Sequence, residues 1–361
     1  MYIQCGYKPV IYLFGWLLCY FFIAVEAISG YKGRFFAFLL VCYFGIVSLL
    51  RGSVGTDTAN YEKMLVSVTN NYIWDGREPG FMAVAWLLSL IAPSAEIAVR
   101  LLSFIFFVVL AIFLIRSDRN ERFLLVGYII PAFAFQYSMN GLRLGLASSI
   151  LMLAVQQYRI NGSLAGIRVA IPSIMFHYSV FFSLSYLIVS QVGFLRVSSL
   201  FGLLTLLFFG VAGFFLLDIS YVADKFSSYQ MMQAPGTLSG VSRVVVVLVF
   251  VCGIAISNLP SGDRIRLSVL GLSFLFLFWL LTQYTYAGLR MLDLLCLVCP
   301  LAMAVSFARL GLNFNIPIKI VILLAGMLSV FAVYRGFLLE SGLGSSPFLP
   351  YEFISLPFEI I

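Results

Sequence analysis

Four arginines stand at the margins of long apolar runs. They are Arg51 in RGSVGTDTANY (51–61), Arg143 in NGLRLGLASS (140–149), Arg243 in SGVSR (239–243) and Arg290 in YAGLR (286–290). A guanidinium stays protonated and costs several kcal/mol at the centre of a bilayer, so each needs water or an anion. Its paired N–H donors match phosphate oxygens, which makes a diphosphate head group the natural ligand for a set of them. The single histidine, His177, interrupts an apolar run in IMFHYSVFF beside Tyr178 and Ser179. A neutral imidazole there would be able to take a proton from a sugar hydroxyl. Asp57 is the second candidate base.

Each of these residues also has a plainer reading. Asp57 or Thr58 would cap a short surface helix running through Glu62 and Met64. Asn140 and Arg143 are three apart, which puts both on one helix face, but Gly141 and Gly145 form a small-xxx-small pattern that would pack closely whatever the arginine does. Arg290 would pair with Asp293 one turn on, and Arg243 would reach to the interface with its charge in water. His177 alone would be a satisfied core residue. Taken one at a time, the plainer readings stand. Taken together, four arginines at helix mouths point to an anionic ligand.

The elements that would position these residues follow from composition. Of 361 residues, 62% are hydrophobic, 16% aromatic and only 10% charged. A soluble domain carries roughly a quarter charged residues, so the fold class is an all-α polytopic membrane bundle. The net charge of +7 comes without the clustered basic stripe that nucleic acid requires. Ten runs are long enough, or nearly so, to span: about 10–28, 35–50, 97–115, 123–139, 143–158, 197–217, 243–259, 267–283, 291–308 and 317–334. The first reads as a retained helix and not a signal peptide, given so many further spans. Two segments are partial: 81–92 is short, and 169–190 is broken by FHYS. No repeat is visible, so residues 1–361 read as one membrane domain. Cys296 and Cys299 form a C-x-x-C inside an oily helix without a histidine partner, and they read as small buried hydrophobes. No metal or cofactor is expected.

Positive charge orients the spans. Lys32 and Arg34, then Arg116, Arg119 and Arg122, then Arg159 and Arg168, then Arg264 and Arg266, all fall on the cytoplasmic side only if 81–92 does not cross and 169–190 enters and returns. Non-helical backbone at membrane depth is tolerated where protein or water covers it. If both segments crossed, five arginines would be stranded outside. Either way the N-terminus, the loop at about 51–79, the loop at about 218–242 and the C-terminus lie outside. Under the first arrangement Arg143 stands at the outer mouth of its helix.

In order along the chain, RGSVGTDTANY with EPGF (78–81), NGLRLGLASS, FHYS (176–179), SGVSR and YAGLR resemble the bacterial O-antigen and exopolysaccharide polymerase family (Wzy-type, short-loop subgroup). The resemblance covers roughly residues 51–290. Leu144 departs from it, since Gln is frequent after the arginine in that family; Arg143 is unaffected. The resemblance implies a metal-independent glycosyltransferase of the inner membrane, with its active site facing the periplasm or exterior. Such enzymes move a growing glycan from undecaprenyl diphosphate to the non-reducing end of another lipid-linked repeat unit. It also implies His177, Asp57 and Arg143 as catalytic residues. Arg51, Tyr61, Glu78, Asn140, Arg143, Arg243 and Arg290 would hold the diphosphate or glycan. The partners implied are undecaprenyl-diphosphate-linked oligosaccharide units and a chain-length regulator in the membrane. Three alternatives stay open: an O-antigen ligase, which uses the same donor, a flippase of lipid-linked oligosaccharide, and an acyltransferase. A flippase would show repeats and midplane polar residues.

Overall fold

The structure, a computed structural model, describes residues 9–30, 33–71, 78–191, 239–338 and 348–354. Among these residues the secondary structure is helical, apart from one isolated bridge between Arg51 and Phe353. Helices α1 (Val10–Ser29) and α2 (Phe35–Leu49) open the chain, followed by α3 (Thr58–Asn71), α4 (Pro79–Ile91) and α5 (Ala95–Arg116). A short α6 (Arg119–Leu124) runs through a wide π turn at Leu125–Ile129 into α7 (Ile130–Met139). Pro131 has no N–H to donate back across that turn, which accounts for the widening. Then come α8 (Leu142–Asn161), α9 (Ser163–Phe176), α10 (Val180–Gln191), α11 (Val241–Ala255), α12 (Ser261–Thr282), α13 (Tyr286–Arg309) and α14 (Ile316–Val333).

Among the described residues, five helices are long and apolar enough to cross a membrane: α1, α5, α12, α13, and α14 with its extension to Gly336. Of these α13 is 89% buried across its apolar window and α1 only 22%, so α13 is the central pillar and α1 faces lipid. The protein is therefore an all-α polytopic membrane bundle. The expected span at 197–217, and the loop at 218–242 up to residue 238, lie outside the described residues. The other nine expected spans coincide with helices.

Hydrogen bonds sort the helix termini onto two ends of the bundle. At one end, Tyr12 at the start of α1 donates to the Phe348 carbonyl (2.9 Å), and Tyr351 donates to Val47 at the end of α2 (2.7 Å). Arg100 near the start of α5 reaches the Arg51 carbonyl, and His177 meets Glu78. At the other end Arg34 caps the last turn of α5 through the Leu114 and Ser117 carbonyls. Arg159 at the end of α8 binds Glu121, Asn120 binds the Leu312 carbonyl, and Arg309 binds Asp263. We refer to these as the His177 end and the Arg159 end.

This sorting gives the two partial segments their shape. Helix α4 starts at Glu78 on the His177 end, and three residues after it α5 starts on that same end. With 13 residues it is about 20 Å long, short of the roughly 30 Å of hydrocarbon. Helix α9 rises from the Arg159 end to His177, and α10 falls back, with Gln191 binding the Ala302 carbonyl near the foot of α13. The pair is a hairpin of short helices whose vertex is FHYS. The cysteines at 296 and 299 are free and buried, in agreement with their reading as hydrophobes.

Candidate active site

The vertex of the α9–α10 hairpin is the centre of a charged cluster. Glu78 precedes Pro79, and a residue before proline is pushed to extended backbone (φ −59°, ψ 117°). Proline at the first position of α4 starts the helix without a lost N–H. Glu78 therefore projects sideways from a helix mouth, and its two oxygens bind different partners. Oε2 accepts from Arg143 Nη1 at 2.7 Å and Oε1 lies 2.9 Å from His177 Nδ1. Gly80 lets α4 come this close to the hairpin. A Cβ there would lie 3.0 Å from Met175 Cβ and 3.1 Å from the Met175 carbonyl oxygen.

The Glu78 side chain is 4% exposed, against 22% for Arg143 and 27% for His177. Burial alone would raise its pKa. The hydrogen bond from His177, with the charges of Arg143 and His177, outweighs burial and holds it down at about 2. An ionised carboxylate only accepts hydrogen bonds, so Nδ1 carries the imidazole proton and Nε2 is left as the acceptor. Burial pushes the imidazole below its ordinary value, with Glu78 pulling the other way. A neutral ring held in one tautomer by a carboxylate is the arrangement a general base needs.

Arg143 is the second residue of α8, where the helix dipole is unfavourable to a cation by about 0.3–1 kcal/mol. Glu78 offsets that. Tyr61, on α3, packs its ring against Phe81 and lies beside both Arg143 and Asp57; burial pushes its hydroxyl up. Asp57 is half-buried, and its backbone N–H donates to Asn140 Oδ1 (3.1 Å), as does the Thr56 hydroxyl (2.7 Å). Asn140 thus fastens the loop that carries Asp57. Gly55 allows the approach: its φ is +102°, and a Cβ would stand 2.2 Å from the Met139 carbonyl oxygen.

Two expectations about helix geometry are corrected here. Asn140 and Arg143 do not share a helix face, because α7 ends at Met139, Asn140 is its C-cap and Gly141 precedes α8. They meet the same site from either side of a break. Of the two glycines, Gly145 sits hard against the Tyr137 backbone, whereas Gly141 has room for a Cβ.

The other arginines separate. Arg243, the third residue of α11, is bound to Asp293 on α13. Asp293 is the partner that the plainer reading gave Arg290, but the neighbouring helix takes it. Together with Gln136 and Ser242 the pair lines a cavity of about 250 Å³. Arg290 is exposed and makes no hydrogen bond or ion pair among the described residues, and its charge reaches His177 together with that of Arg143. Arg51 does not join the cluster. It is fully buried, with Nη1 donating to the Ser48 and Ser138 carbonyls and to Ser103 Oγ at 2.9 Å. Its backbone is clamped as well: Arg100 donates to the Arg51 and Gly52 carbonyls and to Glu62 Oε1, and Gly52 N–H donates to Glu352. Arg51 thus stands apart from the cluster, held through Nη1, while its Nε and Nη2 are buried without a partner among the described residues.

Sequence reasoning passed over Arg100 and Glu62. A lone cation in an apolar run (97–115) was the available signal for Arg100, but its partners lie 38 and 49 residues away. Among the described residues no group of three or more His, Cys, Asp or Glu has metal-site geometry.

A family model described as the EpsG family matches residues 33–353. No curated protein and no solved structure matches the chain.

Proposed function

We propose that in this chain, which belongs to the EpsG family, a family of polysaccharide-polymerase type, the Glu78–His177–Arg143 cluster carries out glycan transfer between lipid-linked units. The donor is a glycan on undecaprenyl diphosphate, and the acceptor is the non-reducing end of a second lipid-linked repeat unit. The observation that carries this reading is the Arg143–Glu78–His177 chain of bonds, with Arg290 exposed alongside.

In the reaction the acceptor hydroxyl oxygen forms a bond to the anomeric carbon. The bond from that carbon to the diphosphate oxygen breaks, and its electron pair leaves on the diphosphate. The hydroxyl proton passes to His177 Nε2, whose ring Glu78 keeps in the correct tautomer. Arg290 is open to receive the diphosphate, and Arg143 supplies a second fork against the charge that develops on departure. Asp57 and Tyr61 border the space beside Arg143 and face the incoming sugar. Arg243 with Asp293 lies one helix further on, where the carrier's head group would be held. Arg34, Arg116, Arg159 and Arg309 collect at the Arg159 end, which argues for that end in the cytoplasm and the site at the outer face of the inner membrane.

The test uses the full chain reconstituted with undecaprenyl-diphosphate-linked oligosaccharide alone, read as a glycan ladder on a gel. The wild type should extend units into long chains, and His177→Asn should leave single units bound but unextended. A normal ladder from His177→Asn would overturn the role of His177. Extension by the wild type only after lipid A–core is supplied would make the protein a ligase.

A further inference from the structure

A second cavity, of about 270 Å³, lies at the Arg159 end, far from His177. It opens where the last turns of α1, the short α6, the loop before α14 and the first turn of α14 meet. Its described lining carries the cations Arg119, Arg122 and Lys319 and the carboxylate Glu26. Arg122 is only 8% exposed, and the charges acting on it include Arg34 and Arg119 as well as Glu26 and Asp118. Glu26 and Asp118 answer the charge of Arg122, whereas Arg119 and Lys319 make no ion pair among the described residues and are the cations that an incoming anion would meet.

The cavity has a fixed floor. Asn120 holds the loop before α14 with both ends of its amide, donating to the Leu312 carbonyl at 2.9 Å and accepting from Phe314 N–H at 2.9 Å. The walls are amphipathic. Phe123 lines the space with Lys319 over its ring, 5.8 Å from the centroid. The helices on either side carry outward apolar residues: Ile28 on α1 is 88% exposed, and Ile316 and Ile320 on α14 are 72% and 51% exposed. Cations inside and lipid-facing isoleucines alongside are what a phosphate with acyl chains requires. A free anion would need only the cations.

We infer that this cavity is a binding site for the phosphate head group of an anionic phospholipid, with the acyl chains lying along the outer faces of α1 and α14. The site is independent of the proposed glycan transfer and would occupy the membrane face opposite to it.

The test is native mass spectrometry of the full chain in detergent, titrated with phosphatidylglycerol, with phosphatidylcholine, or with inorganic phosphate as competitor. The wild type should retain one phosphatidylglycerol in preference to phosphatidylcholine, and millimolar phosphate should not displace it. Arg119→Gln with Lys319→Gln removes two cations without touching buried Arg122, and should weaken retention about thirtyfold. Arg168→Gln, an exposed arginine of the same end outside the cavity, should leave retention unchanged. Equal retention of the two lipids would overturn the proposal, and so would an unaffected double variant. Equal loss from Arg168→Gln would reduce the effect to general surface charge. Displacement by phosphate would make the site one for free anions.

Discussion

Replacing Glu78 by glutamine keeps the shape of the side chain and removes its charge. In the wild type the carboxyl is held at about 2 against an ordinary 4.5, because His177 and Arg143 outweigh burial. That gap corresponds to at most about 3 kcal/mol, and to less at neutral pH, where the imidazole is uncharged and Arg143 alone supplies the opposing charge. A depressed carboxyl contributes in full above its unfolded pKa and loses its contribution as pH falls through the folded one. Glu78→Gln should therefore unfold at lower temperature than wild type at pH 7, and the difference should shrink between pH 4.5 and about 2. The effect on catalysis is separate. Glutamine no longer compels Nδ1 to carry the proton, so the base is misplaced and the extension rate should fall by about 10²–10⁴. The carboxylate also raises the pKa of His177, opposing its burial, so its removal should move the acid limb of the pH–rate profile to lower pH. The assay is initial rate of ladder formation in reconstituted vesicles from about pH 5 to pH 8. A variant with the wild-type rate and the wild-type acid limb would refute the carboxylate–imidazole argument, even if it were less stable.

Arg143→Lys keeps a charge that still neutralises Glu78 but loses the planar fork, so extension should fall by about tenfold or more at unchanged protein level. Arg290→Lys should act in the same direction, chiefly by raising KM for the lipid-linked donor, because Arg290 has no other partner among the described residues; an unchanged KM would count against diphosphate contact. Arg51→Lys should lower the unfolding temperature and leave KM unchanged, since Nη1 of Arg51 bonds to Ser48, Ser103 and Ser138 in a fully buried site; a raised KM with normal stability would restore Arg51 to the ligand site. For the membrane sidedness, cysteines placed at 119 and 161 should be shielded from an impermeant thiol reagent applied outside cells, while one at position 70 reacts. Strong labelling at 119 would invert the bundle.

Apolar runs by themselves determined the membrane class and the helices, because the cost of lipid exposure is set residue by residue along the chain. The break at FHYS and the stop at Glu78-Pro79-Gly80 were equally legible, since proline and a polar interruption act on their own backbone. The shortness of α4, α9 and α10 was legible as well, since it depends only on how many apolar residues run between the breaks. The ion pairs were not legible. Glu78 lies 65 residues from Arg143 and 99 from His177, and whether it bonds them depends on which helix mouths become neighbours. The sequence offered Asp293 to Arg290, one turn away, but the packing of α11 against α13 gave it to Arg243. Arg51 and Arg290 look alike in sequence, each a cation at the margin of an apolar run. One is sealed under serines and the C-terminal segment, and the other is open beside His177. A charge is indifferent to sequence distance and senses only the nearest opposite charge and the nearest water, and both are assigned by the tertiary fold.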